Sequence, residues 1–260
     1  MIDLRWVRTE KTEDGIRVLT LDRPPVNALG FEMVEDLARA TETLGKDEEA
    51  RCLIVRSSQR HFCAGADLKE RRTMSTDEVR SFVTLLGSAF SAVASLRFPS
   101  IAAIRGAAVG GGCELALACD LRLVAEDATM GLRETALAIL PGAGGTQRLA
   151  RIAGPARAKR WIFTAKAFSA AEALADGVAD KVVAAERLDA EARRLAEAIA
   201  ANGPVAVRQA KKAIDGGFDL PMAEALAHEW ECYQAVIATE DRIEALRAFA
   251  ERRPPRYQGR

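Results

Sequence analysis

Histidine is almost absent from this 260-residue chain: only His61 and His228 occur, far apart, which sets aside a histidine-based metal site. No C-x-x-C spacing occurs among the five cysteines, Cys52, Cys63, Cys113, Cys119 and Cys232. Scattered and odd in number, they argue for a reducing compartment and against a disulfide framework. Net charge is missing too. Lys plus Arg and Asp plus Glu both number 37, so no strong field draws the chain to nucleic acid or an anionic membrane. No hydrophobic run approaches the length of a membrane helix. Met1 is followed by Ile2-Asp3-Leu4-Arg5 rather than by the apolar segment of a signal peptide. A soluble cytoplasmic protein is the expectation, with no fixed-period repeat and no low-complexity segment.

What is present is core-forming material. At 49% hydrophobic, the chain can build one large domain, or one domain with an appendage. Ile101 to Asp120 organises the rest. The run Ile101 to Ile104 reads as a buried strand, Gly106 to Gly112 as a small-residue turn, and Cys113 to Cys119 as a helix carrying Leu115, Ala116 and Leu117. Without Cβ atoms, Gly110, Gly111 and Gly112 let a ligand approach the main chain. A helix start leaves N–H groups unpaired and slightly positive, which suits an oxygen that gains negative charge. Glu114, in the first helical turn, is placed for proton chemistry or simply complements the helix dipole. Taken alone, the stretch leaves site and scaffold equally open. A dinucleotide-binding turn fails on spacing, because the last glycine of G-x-G-x-x-G would fall on Leu115.

Around this stretch, Ile16 to Leu21 alternates as a strand. Phe31 to Leu44 reads as a helix with Val34, Leu37, Thr41 and Leu44 inward and Glu32, Glu35, Asp36 and Glu42 outward. Cys52 to Val55 is a buried strand. In the loop Ser57 to Lys69, Ala64-Gly65-Ala66 offers a second close-approach backbone, and Asp67 is ready to cap the segment after it. Ser75-Thr76-Asp77-Glu78 is a capping box opening a helix with Val79, Phe82, Val83, Leu86, Phe90 and Val93 as a core stripe. Leu121 to Val124 is another strand. Glu134 by itself reads as a solvated loop acid. The cluster Pro141 to Arg148 lacks the Lys-Ser/Thr pair of a P-loop and reads as a tight turn into a helix from Thr146 to Ala153. Later segments are almost wholly helical. A second capping box stands at Ser169 to Glu172, and a short edge strand spans Val178 to Val183. Leu226, Trp230, Tyr233 and Ile237 form a stripe suited to core or subunit interface.

Leu21-Asp22-Arg23-Pro24 with Asn27-Ala28-Leu29, the segment Phe62 to Lys69, Gly110 to Ala116, Glu134, and Pro141 to Leu149 together resemble the enoyl-CoA hydratase/isomerase (crotonase) family over nearly the full length. Glu134-Thr135, Pro254 to Tyr257 and the CAGADLKER segment are most similar to its methylglutaconyl-CoA hydratase branch. The resemblance implies an α/β spiral of ββα units over residues 1–200 carrying the active site. Residues 201–260 would then be a helical region for assembly as a trimer or a dimer of trimers and for covering the site. It implies a coenzyme A thioester as substrate, no further cofactor and no metal. The N–H groups of Ala66 and Gly111 would form an oxyanion hole. Ala64, Ala66, Asp67, Leu68, Lys69, Gly110, Gly111 and Gly142 would line the substrate site. Glu114 and Glu134 match the hydratase pattern: Glu114 to activate water, Glu134 to deliver a proton to Cα. The product of syn hydration of a 2-trans-enoyl-CoA is a 3-hydroxyacyl-CoA.

Methylglutaconyl-CoA hydration and enoyl-CoA isomerisation, which needs chiefly the acid at position 134, are the alternative reactions. A branch that binds RNA does so through a Lys-rich version of the helix after Leu29. Here that helix has four acids, one base (Arg39) and no Lys, so nucleic acid is not an expected partner. Leu132-Arg133 stands where simple short-chain hydratases often have Gln-Pro. Arg133 reads first as a solvated cation, and second as a contact for a distal carboxylate.

Overall fold

The computed structural model describes residues 4–260; the Met1-Ile2-Asp3 start, weighed against a signal peptide, lies outside them. The chain opens with β1 (Val7–Lys11), which sequence periodicity did not reveal, antiparallel to β2 (Ile16–Leu21). All six residues of β2 are buried, and β3 (Cys52–Ser57) pairs with its other edge in parallel register. Between them α1 (Phe31–Gly45) buries Val34, Leu37, Thr41 and Leu44, the expected face.

α2 (Leu68–Arg71) is capped by Asp67, whose carboxylate accepts from the N–H groups of Lys69 and Glu70. The capping box at Ser75 and Glu78 starts α3 (Thr76–Ala94) as expected. Phe82, Leu86, Phe90 and Val93 are buried there, whereas Val79 and Val83 face a cavity.

The middle of the chain repeats one pattern: a strand in the main sheet, a short strand in a second sheet, then a helix. β4 (Ser100–Ile104), β5 (Ala107–Val109) and α4 (Gly111–Ala118) make one such turn. β6 (Leu121–Ala125) and β7 (Thr129–Gly131) begin the next, followed by a 3₁₀ turn at Glu134–Leu137, α5 (Gly145–Ala153) and α6 (Pro155–Thr164). β8 (Phe168–Ser169), α7 (Ala170–Ala175), β9 (Lys181–Val183) and α8 (Leu188–Ala200) complete the α/β part.

The main sheet has the order β1-β2-β3-β4-β6-β9, parallel from β2 onward, and the second has the order β5-β7-β8. Single bridges Leu29↔Ala66 and Cys63↔Ala108 extend the second sheet toward the earlier turns. Each circuit therefore adds one rung to each sheet, which is a ββα spiral.

The stretch Gly106 to Gly112 is thus not one continuous turn. Three residues are too short to show a period of two, and pairing with β7 and Cys63 decides the matter. α4, which starts two residues before the expected Cys113, is buried along its whole length, Glu114 included. Asp36 is a second correction. It does not face solvent with its acidic neighbours but is 0% exposed, accepting the N–H groups of Arg5 and Trp6 at 2.8 Å. The chain before β1 folds back over α1, a contact no local pattern encodes.

α9 (Pro204–Gly217), α10 (Met222–Ile237) and α11 (Glu240–Glu251) follow. Lys211 of α9 is tied to Asp120, between α4 and β6, and Asp120 also accepts from Ser100. Asp241 accepts the N–H groups of Gln258 and Gly259, which pins the C-terminal tail against α11. Among the described residues, no helix is long and apolar enough to cross a membrane.

Candidate active site

The two close-approach backbones predicted from small residues meet. Leu29 N–H donates to Gly65 O and Asp67 N–H to Leu29 O, both along one edge of the Ala64-to-Asp67 segment. Ala66 N–H consequently points the other way, and among the described residues it donates to nothing. Gly111 N–H is the first of α4 and is equally unpaired. The two lie close together: a Cβ at Gly65 would fall 3.4 Å from Gly111 N, and one at Gly111 would fall 4.0 Å from Ala66 N. Gly65 adopts φ +84 and Gly110 φ +56, backbone that L side chains rarely take up. The turn is therefore built for glycine on conformational as well as steric grounds.

These donors open into a cavity of about 610 Å³, walled by the Ala64-to-Leu68 segment, α3, the start of α4, and residues 133–143. Of the residues expected at the site, Ala64, Ala66, Leu68, Gly110, Gly111, Gly142, Glu114 and Glu134 line it. Asp67 and Lys69 do not. Asp67 is occupied with capping α2 and with Arg23, at 2.9 Å, and Lys69 sits on the exposed side of α2.

Glu114 is 3% exposed. Its Oε1 accepts from the N–H groups of Ala143 and Gly145, each at 2.8 Å. Burial raises its pKa above the ordinary carboxylate range, opposed by those two N–H groups and by Arg148. The second glycine cluster is thus more than a turn into α5. It presents the unpaired amides of a helix start to the carboxylate. Sequence reasoning missed this because the partners lie about thirty residues apart; the only available signal was a buried-type acid near two glycine-rich helix starts.

Glu134 begins the 3₁₀ turn and is not a solvated loop acid. Its Oε2 is buried and has no partner among the described residues. Burial first, and the charge of Glu114 second, push its pKa up to about 7. Thr135 Oγ1 donates to Ile162 O at 2.6 Å, tying this turn to α6. Two carboxyls from separate elements therefore share one cavity with different environments: one is anchored by two peptide donors, the other has a buried oxygen with no partner among the described residues and a pKa pushed up to about 7.

Among the described residues, no cluster of three His, Cys, Asp or Glu side chains is placed to hold a metal ion. All five cysteines are buried and unpaired. Burial drives the thiols of Cys52, Cys63 and Cys119 up to about 12, so none is a ready nucleophile.

The sequence profile of the enoyl-CoA hydratase/isomerase family matches residues 11–260. A probable mitochondrial enoyl-CoA hydratase 2 of Arabidopsis thaliana is 48% identical over 254 residues, covering 97% of this chain and 84% of that protein. The mitochondrial methylglutaconyl-CoA hydratase of Homo sapiens is 45% identical over 263 residues, covering 99% and 78%. The crystal structure of an enoyl-CoA hydratase from Bacillus anthracis superimposes with a TM-score of 0.96 at 42% identity, covering 98% of this chain and all of the other.

Proposed function

From the premise that this chain belongs to the enoyl-CoA hydratase/isomerase family, we propose that it adds water across the double bond of a 2-trans-enoyl-CoA thioester, as a hydro-lyase. The observation that carries this reading is the convergence of Glu114 and Glu134 on one cavity beside the free N–H groups of Ala66 and Gly111.

The thioester oxygen accepts from Ala66 N–H and Gly111 N–H. As oxygen adds at Cβ the thioester becomes enolate-like, and these fixed dipoles stabilise its negative charge without reorganising. Glu114, held through Oε1 by Ala143 and Gly145, turns its other oxygen to water and takes one proton from it. The hydroxyl oxygen bonds to Cβ. Glu134, whose raised pKa keeps a large protonated fraction near neutral pH, gives its proton to Cα. One water is consumed, and the proton gained by Glu114 returns to Glu134 through solvent. Removing a general acid or base of this kind typically costs about 10²–10⁴ in rate.

The test is hydration of crotonyl-CoA by the wild-type chain, Glu114→Gln and Glu134→Gln. The wild type is expected to turn over and both variants to lose at least about a hundredfold. Near-normal hydration by either variant would remove that residue from the scheme. Double-bond migration with full rate in Glu114→Gln, and no hydration by any form, would make the chain an isomerase.

Assembly with further copies of this chain is part of the same reading. Trp230 and Tyr233 of α10 and Phe249 of α11 are 58%, 58% and 85% exposed, a load of aromatic surface that a free monomer rarely carries. Light scattering after size exclusion is expected to give a trimer or a multiple of it; a stable monomer would remove this part.

A further inference from the structure

Among the described residues four ionisable side chains line the cavity, and hydration as proposed uses two of them, Glu114 and Glu134. The other two are Arg71, the last residue of α2, and Arg133, the residue just before the 3₁₀ turn. Among the described residues neither guanidinium forms a side-chain hydrogen bond or an ion pair, not even with the two glutamates of the same cavity, whereas nearby Arg23 and Arg148 are both engaged. Arg71 lies 5.5 Å from the ring centroid of Phe82, which rests it against α3. The wall around them is apolar: Val79, Val83 and Leu86 from α3, Leu137 at the end of the 3₁₀ turn, and Ile139 and Leu140 beyond it.

An alkyl chain would be served by that wall without any cation. A guanidinium offers a planar fork of donors that matches a carboxylate. Arg133 adjoins Glu134 in the chain, with consecutive Cα atoms about 3.8 Å apart. Exposed on the cavity wall, its side chain borders the same space as the two acids. We propose that Arg133, assisted by Arg71, selects enoyl thioesters whose acyl chain ends in a carboxylate. This rests on the hydratase reading and names the substrate class for the same site.

The experiment compares kcat/KM for glutaconyl-CoA, a five-carbon chain ending in a carboxylate, with that for crotonyl-CoA. The wild type favours glutaconyl-CoA. Arg133→Gln lowers the glutaconyl-to-crotonyl ratio by about ten- to a hundredfold, the usual range for a hydrogen bond to a charged group. Arg133→Lys keeps the charge and retains most of the ratio, and Arg71→Gln lowers it by less. An unchanged ratio in Arg133→Gln overturns the proposal. The same pair of acids as N-acetylcysteamine thioesters, which carry no phosphate, separates the two anions. A ratio that still falls on these esters places the acyl carboxylate at Arg133. An equal loss on both coenzyme A esters that vanishes on the truncated ones assigns the guanidinium to a phosphate and overturns the proposal. Binding of the saturated pair, glutaryl-CoA and butyryl-CoA, is read by calorimetry in parallel. Failure to hydrate either enoyl thioester sinks the hydratase reading. Selectivity is then judged on the calorimetric ratio alone, which must fall by a similar factor in Arg133→Gln for the proposal to stand.

Discussion

Glu114 Oε1 accepts the peptide N–H of Gly145 at 2.8 Å, and the two residues are 31 positions apart in the chain. This bond joins the helix start that carries one free N–H of the site to the helix start that anchors the acid. It leaves one carboxylate oxygen committed and the other to face the cavity, so the orientation of the acid is set before any ligand arrives.

The activity is expected to titrate with Glu134. Its pKa of about 7 means that kcat/KM for an enoyl thioester falls as pH rises above neutrality and the α-proton donor is lost. Glu114's charge is the second cause of that elevated value, so Glu114→Gln lowers the Glu134 titration toward the ordinary carboxylate range. Carbon NMR of labelled glutamate carboxyls reads this directly. A Glu134 resonance that titrates identically in both proteins would deny the coupling.

Stability should carry the same signature with the opposite benefit. Glu134 is protonated more readily in the folded than in the unfolded chain, because its folded pKa of about 7 exceeds the usual 4.5. Between those values the folded state binds more protons, so this group's contribution to stability falls as pH rises through the window. Glu134→Gln removes the group, and its melting temperature is expected to exceed that of the wild type by a few degrees at pH 8, corresponding to about 1–2 kcal/mol after allowance for partial solvent screening. The gap closes below about pH 4.5. Thermal melts at the two pH values check it; a gap that does not depend on pH would disprove the linkage.

Gly65→Ala tests the amide pair. Its Cβ would fall 2.8 Å from Val109 O at φ +84, and 3.4 Å from Gly111 N. The segment must shift, which spreads the two donors. A kcat loss of about 10²–10³ is expected, as for removal of one oxyanion donor, with stability lowered by about 1–3 kcal/mol. Parallel stopped-flow kinetics and urea melts separate the two effects. Full kcat in a folded variant would show that the donors need not be held at this spacing.

Asp36→Ala leaves two backbone N–H groups, of Arg5 and Trp6, without their acceptor beneath the N-terminal segment. The expected cost is about 2–4 kcal/mol in urea unfolding, with the activity per folded molecule retained, because the aspartate lies outside the cavity lining. An effect under about 0.5 kcal/mol would mean that water replaces the carboxylate readily.

Local signals located most elements correctly. The capping boxes at Ser75 and Ser169, the apolar face of α1 and the strands β2, β3, β4 and β6 each encode their state within a few residues. β1, β5 and β7 were invisible because they are short or solvent-facing and exist only through their partners. At the site, the residue types and glycine positions were legible in the chain, as was the likeness that joins them. Asp67 and Lys69 are not among the residues lining the cavity; Asp67 caps α2, and Lys69 is exposed.

Residue order by itself determined where the backbone can be approached closely, which helix starts leave amides free, and that two glutamates accompany them. Tertiary structure alone decided that Ala66 and Gly111 N–H face one space, that Gly145 anchors Glu114, that burial brings Glu134 near neutral titration, and that Arg133 lines the same cavity with no partner among the described residues. The reason is one of range. Torsional preference and capping act over a few residues, whereas hydrogen-bond satisfaction, burial and charge coupling depend on groups that successive turns of the spiral bring together.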